Sequence, residues 1–235
     1  MGRARPRLRV ASVLLMATWA VPLAARAQTP DAVLTHAMSA YANVKTARAS
    51  FEQTLTNPIT GTTAQSHGEY VQQRPSHLSV RFTDPPDEQR DRIVADGSSV
   101  WVYVPSATPN QVVKMPIGAG TGAATVDFIG QLLTGPRDRF DVTDAGTDTI
   151  QSRHTHAITL VPKDEQAQFA KATIWVDDGD GVVRQFEVTD ANGTVRRIRL
   201  TTVAFNVPVD RSAFVFTPPP GVKVVDHNTM TGGNG

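Results

Sequence analysis

Residues 68–82, GEYVQQRPSHLSVRF, alternate side-chain character with the two-residue period of a strand. Tyr70, Leu78, Val80 and Phe82 share one face of such a strand, and Arg74 falls on that same face. A guanidinium among apolar side chains is costly unless its donors meet acceptors. Arg74 is therefore either tucked against something specific or marks a cavity with a task. The alternative is that Pro75 imposes a bulge or an edge, which shifts the parity and turns Arg74 outward.

Short alternating runs recur along the chain, at 49–56, 91–95, 99–104, 140–142, 156–162, 171–176, 182–189, 194–205 and 213–216. Asp96-Gly97, Asp178-Gly179 and Asn192-Gly193 mark tight turns between neighbours, and the run Pro218, Pro219, Pro220, Gly221 closes the series. Strands joined by short hairpins imply an antiparallel meander. Two stretches read as helices instead. Residues 31–44 open on a capping Asp31 and carry Val33, Leu34, Ala37, Met38, Tyr41 and Val44 in a helical stripe. Residues 125–133 set Val126, Ile129, Leu132 and Leu133 on one side, place Asp127 in the first turn and stop at Gly135-Pro136. A mainly β fold follows, with two helical segments covering one face of the sheet and a pocket wall that suits a greasy ligand.

The first 27 residues read as a segment to be removed. Arg3, Arg5, Arg7 and Arg9 precede an apolar stretch from 10 to 23, and Ala25-Arg26-Ala27 supplies a small-x-small cleavage pattern. The apolar stretch is short for a membrane span and is interrupted by Pro22. The expected organisation is a cleaved signal peptide at 1–27, one domain at 28–225 and a disordered tail at 226–235. The expected location is the periplasm. Cysteine is absent, so the exported chain folds without disulfides and has no cysteine to carry a lipid anchor. Loss of five arginines takes the formal charge from +1 to −4. A mildly acidic protein is a poor partner for nucleic acid, and the cluster Arg196, Arg197, Arg199 divides between strand faces.

Candidate chemistry is sparse. Asp177-Asp178-Gly179-Asp180-Gly181 fails as a calcium loop: counted from Asp178, position 5 is Val182 and position 12 is Thr189, where a bidentate Glu is required, so a turn is expected. His154 and His156 share a strand face without a third ligand nearby, and read as a surface pair. The chain has no nucleophile elbow, no HExxH and no cysteine nucleophile. The Gly-rich run at 118–124 lacks the lysine and the setting of a phosphate loop. A binding protein is expected rather than an enzyme, with no cofactor and no metal.

Several short segments, taken in order, resemble the LolA family of periplasmic carriers of outer-membrane lipoproteins. They are Ala49-Ser50-Phe51-Glu52-Gln53, then Gly68 with the Arg74-Pro75 pair, Ile93-Val94-Ala95-Asp96-Gly97, Trp101-Val102-Tyr103-Val104-Pro105, and the ending Phe214-Val215-Phe216-Thr217-Pro218-Pro219-Pro220-Gly221-Val222. The resemblance implies an incomplete antiparallel β-barrel, a half-barrel whose apolar cavity is covered by a helical lid. It implies that Arg74 hydrogen-bonds lid backbone carbonyls and closes the empty carrier. The expected lipid-binding and lid-control residues are Arg74, Tyr70, Leu78, Val80, Phe82, Val94 and Trp101 on the sheet, with Leu34, Met38, Val126, Ile129 and Leu133 on the lid. The implied partners are triacylated lipoproteins, an ATP-driven releasing complex in the inner membrane and the outer-membrane receptor LolB, with the carrier a monomer. The chain departs from the family in the thin aromatic complement of 78–82 and in a short polar end after Val225, which speaks against an extra C-terminal strand. A carrier of a free lipid or glycolipid, or a lipid-sensing regulatory domain of the same fold, are the rival readings.

Overall fold

A computed structural model of the chain describes residues 28–84, 90–117 and 127–226. The expected signal segment, the 118–124 run, Thr125, Val126 and the tail beyond Asp226 lie outside these residues. Helix α1, Pro30–Tyr41, is capped by Thr29, whose hydroxyl accepts from Ala32 N, so the cap lies two residues before the expected Asp31. A long meander follows: β1 Thr46–Thr56, β2 Thr63–Gln73, β3 His77–Phe82, β4 Arg92–Asp96, β5 Ser99–Tyr103 and β6 Gln111–Pro116. Two short helices, α2 Phe128–Leu132 and α3 Pro136–Arg139, precede a second meander. Its strands are β7 Phe140–Ile150, β8 Arg153–Pro162, β9 Phe169–Asp177, β10 Val183–Asp190 and β11 Val195–Phe205. A 3-10 turn, Arg211–Phe214, and a short strand β12, Lys223–Asp226, complete the described chain.

All twelve strands form one open sheet in the order β12-β6-β5-β4-β3-β2-β1-β11-β10-β9-β8-β7. Pairing of β1 with β11 joins the two meanders. Every pairing is antiparallel except β12 with β6, which is parallel. The sheet does not close on itself, and with its helices it forms an open half-barrel with a lid. The free edge at β7 is acidic, carrying Asp141, Asp144 and Asp148, and its ladder to β8 is irregular between Asp144 and Thr147.

Several local expectations change. Residues 68–82 are two strands and a turn at 74–76, not one strand. Of residues 213–216, expected as a strand, Ala213 and Phe214 lie in the 3-10 turn, which Asp210 opens by accepting from Ser212 N. Strand β12 exists despite the polar ending, since pairing with β6 needs only its backbone. His156 is buried, not a surface residue, with Nε2 3.0 Å from Asp144 Oδ1.

The helices cover one half of the sheet. Val33, Leu34, Ala37 and Tyr41 from α1, with Leu132 and Leu133, pack on Phe140, Val142, Ile158, Leu160, Ala172, Ile174, Val176 and Val183. Phe128 of α2 inserts between Phe186, at 5.5 Å between ring centroids, and Phe169, at 6.1 Å. Burial of side chains this size contributes roughly 1.5–3 kcal/mol each, which holds these short helices in place.

The Asp177–Gly181 segment is the turn between β9 and β10, and it supports α1 from below. Asp177 Oδ2 accepts from Arg153 and Arg184, Oδ1 from Gly179 N, and Arg184 also pairs with Asp180. Burial pushes the Asp177 carboxyl up, but these donors outweigh it and hold its pKa at about 2. Gly181, at φ +72°, lies against the backbone of His36, with its Cβ position 2.7 Å from the His36 carbonyl oxygen. A side chain there would lift the helix.

Candidate functional site

The face of the sheet beneath the helices is apolar on the other half too. Across β1 to β6, partners in register share a face: Ala49, Tyr70, Val80, Ile93 and Val102 form one row, and Gln72, Leu78, Ala95, Val100 and Met115 the next. Ala49, Phe51 and Leu200 form a cluster with Tyr70, Val80, Phe82, Ile198 and Val203 around it. Leu78, Ala95 and Val100 form another, with Ile93, Val102, Met115 and Ile117 around it. Tyr70, Val80, Phe82, Ile93 and Val102 are only partly buried, so this half is a trough of apolar side chains. Gly68 makes room for it. The Phe51 ring lies over Gly68 and meets Phe82 edge-on at 5.5 Å.

Arg74 sits in the β2–β3 turn at the margin between trough and lid. Its Nη1 donates to the carbonyls of Tyr41, the last residue of α1, at 2.9 Å, and of Val44 just beyond it, at 3.2 Å. A cation at a helix C-terminus also suits the helix dipole. Its Nε lies 2.8 Å from Asp127 Oδ2, while Asp127 Oδ1 accepts from Gly130 N at the start of α2. The Nε–H is not aligned for a hydrogen bond, so that contact is an ion pair. The backbone is fastened as well, Arg74 N donating to Lys45 O. Arg74 faces inward, so the outward alternative is excluded. Tyr41 and Tyr70 stand beside this group, and burial first, then the Asp127 charge, pushes the Tyr70 phenol up.

Among the expected sheet residues, Tyr70, Leu78, Val80 and Phe82 line the inner face. Val94 and Trp101 do not, which is a correction. Register pairs Ser79 with Val94 and Val94 with Trp101, on the opposite face to Val80 and Ile93. There the C-terminal segment covers them. Phe216 packs on Trp101 at 5.7 Å and Tyr103 at 5.9 Å, and Phe214 meets His77 at 5.3 Å. Trp101 Nε1 donates to Asp96 Oδ2, whose Oδ1 accepts from Ser98 and Ser99 N. Burial raises the Asp96 pKa, but these bonds prevail and hold it at about 2. A cleft of about 270 Å³ on this outer face is lined by charged and polar side chains including Arg48, Glu69 and Arg81.

On the lid, Leu34 and Leu133 are buried and Ile129 partly so, while Met38 is exposed, at the edge of the packed stripe of α1. Val126 lies outside the described residues. The inner-face residues Ala49, Phe51, Ile93, Val102 and Met115, and the lid residues Asp127 and Phe128, are not among the binding or lid-control residues expected from sequence. The parity of Tyr70 extended across each hairpin finds Ile93 and Val102, but Asp127 signals only a helix start. Among the described residues, no group of three or more His, Cys, Asp or Glu is placed to hold a metal.

An apolar inner face under helices tied down by one arginine defines a lidded half-barrel built around a hydrophobic surface. The family model "Outer membrane lipoprotein carrier protein LolA" matches residues 42–217, and the chain belongs to this family. It is similar to the outer-membrane lipoprotein carrier protein of Methylibium petroleiphilum, 29% identical over 216 residues, which are 88% of this chain and 95% of the relative. The relative of the same name from Proteus mirabilis is 30% identical over 78% of this chain and 83% of its own. Among solved structures, an uncharacterized conserved protein from Thermus thermophilus superposes with a TM-score of 0.53 at 13% identity, covering 85% of this chain and 100% of that one, and so shares the fold.

Proposed function

We propose that this chain shields the acyl chains of lipoproteins against the trough of Tyr70, Leu78, Val80, Phe82, Ile93 and Val102 and carries them through the periplasm. It takes them from an ATP-driven releasing complex in the inner membrane and passes them to a LolB-type receptor at the outer membrane. No bond is made or broken in this task, so the chain acts as a carrier and not as an enzyme. Each methylene hidden from water contributes about 0.8 kcal/mol, so one long acyl chain left exposed costs on the order of 10 kcal/mol. A carrier without its own energy source must hide such chains and still release them. A lid that closes on itself when empty meets both needs, because closure offsets part of the cargo's binding free energy.

The observation that carries this reading is Arg74, which reaches from the edge of the apolar trough to both lid helices. The test mixes purified chain with inner membranes that hold the releasing complex and a labelled triacylated lipoprotein, then adds ATP. A soluble one-to-one complex is expected. Free lipid co-purifying with the chain, and no such complex, would shift the cargo to a lipid or glycolipid.

A further inference from the structure

We infer that Asp127 is a second fastening of the lid, and that its carboxylate makes lid release and loss of the start of α2 a single event. The inference deepens the lidded-carrier reading and rests on it for its use. The carboxylate is divided between two tasks. Oδ1 accepts from Gly130 N at 3.0 Å and caps α2, while Oδ2 lies 2.8 Å from Arg74 Nε. Both side chains are 24% exposed, so water screens the pair only in part. The Arg74 Nη1 is spent on α1 at Tyr41 O and Val44 O. One guanidinium thus joins the end of the first lid helix to the beginning of the second.

The size of α2 gives the coupling its force. A helix of five residues has no stability of its own and stands on its cap and its packing. If Arg74 withdraws, the capping carboxylate loses the charge that orients it. If the cap turns away from Gly130, Arg74 loses its counter-ion. Gly130 keeps the arrangement possible, because a Cβ there would stand 2.6 Å from Asp127 Oδ1. The pair also lies beside Tyr70 on the inner face, so an occupant that reaches Tyr70 meets this fastening.

The chain has no cysteine, which allows a direct test without cargo. Ala37→Cys on the buried side of α1 and Ile129→Cys on α2, each alone, report opening of the two helices through the rate of thiol labelling. Asp127→Asn keeps an oxygen for the cap and removes the charge, so labelling should rise about tenfold at both positions. Asp127→Ala also removes the cap and should add roughly fivefold at position 129. In an Arg74→Leu background, Asp127→Asn should add nothing. Parental labelling in Asp127→Asn would overturn the inference, as would full additivity with Arg74→Leu. An effect in Asp127→Ala alone would reduce Asp127 to a plain helix cap and overturn it as well. No lipoprotein enters this assay, so its failure leaves the carrier reading standing, and a failed release assay leaves its result standing.

Discussion

Replacing Arg74 by leucine removes two hydrogen bonds from a charged donor, to Tyr41 O at 2.9 Å and to Val44 O at 3.2 Å. Such bonds contribute roughly 1.5–3 kcal/mol each, and the longer distance and partial exposure place this pair near the low end, at about 3 kcal/mol together. The ion pair to Asp127 is lost as well, at about 1 kcal/mol, and the leucine side chain returns about 2 kcal/mol if it stays against the lid. The net loss of about 2 kcal/mol lowers the closed-to-open ratio about 30-fold. On the proposed reading cargo binds the open form, so its apparent affinity scales with the fraction of the carrier that is open. Arg74→Leu should therefore hold cargo up to about 30-fold more tightly and hand it over more slowly. The assay loads parent and variant with the same labelled lipoprotein, adds purified receptor, and follows transfer with time. Equal transfer rates would refute the reasoning, since the lid bonds would then not oppose cargo retention.

Trp101→Ala should lower unfolding stability by about 2–3 kcal/mol, seen in a denaturant titration, and leave apolar-probe binding at the inner face unchanged, because the indole packs on the outer face. Gly68→Ala should cost about 1–3 kcal/mol in the same titration, since its Cβ would stand 2.7 Å from both the Arg81 carbonyl oxygen and Phe51 Cε1. Asp96 and Asp177 have folded pKa values of about 2, below an unfolded value near 3.9. Their contribution is present above pH ~4 and lost as the pH falls towards 2, so thermal midpoints should hold to about pH 4 and then decline. Asp177→Asn should flatten that decline.

The inward placement of Arg74 was legible for a reason that outlasts the error in its setting. The pattern reads as one strand, yet a turn intervenes at 74–76. Antiparallel partners share a face, so Tyr70 opposite Val80 and Gln72 opposite Leu78 preserve the alternation across the hairpin. Val94 and Trp101 mislead because both faces of β4 and β5 are apolar, one lining the trough and one lying under Phe214 and Phe216. A strand buried on both sides reads as a continuous apolar run in which period gives no direction. The covering segment 211–217 arrives from the far end of the sequence, which local pattern cannot announce. The same holds for Asp127, which reads locally as a helix-start acid and gains its second role only when folding brings Arg74 to it. Strand β12 is four residues long with only Val224 and Val225 apolar, a run too short to announce a strand.

An open sheet has an exposed margin that a closed barrel lacks. On β7, unpaired backbone groups could recruit a strand from another molecule and start a chain of copies. Asp141, Asp144 and Asp148, with the irregular ladder between Asp144 and Thr147, set like charge and a broken hydrogen-bond rhythm against any identical edge that approaches. The acidity of this strand thus works against edge-to-edge pairing while leaving the sheet open.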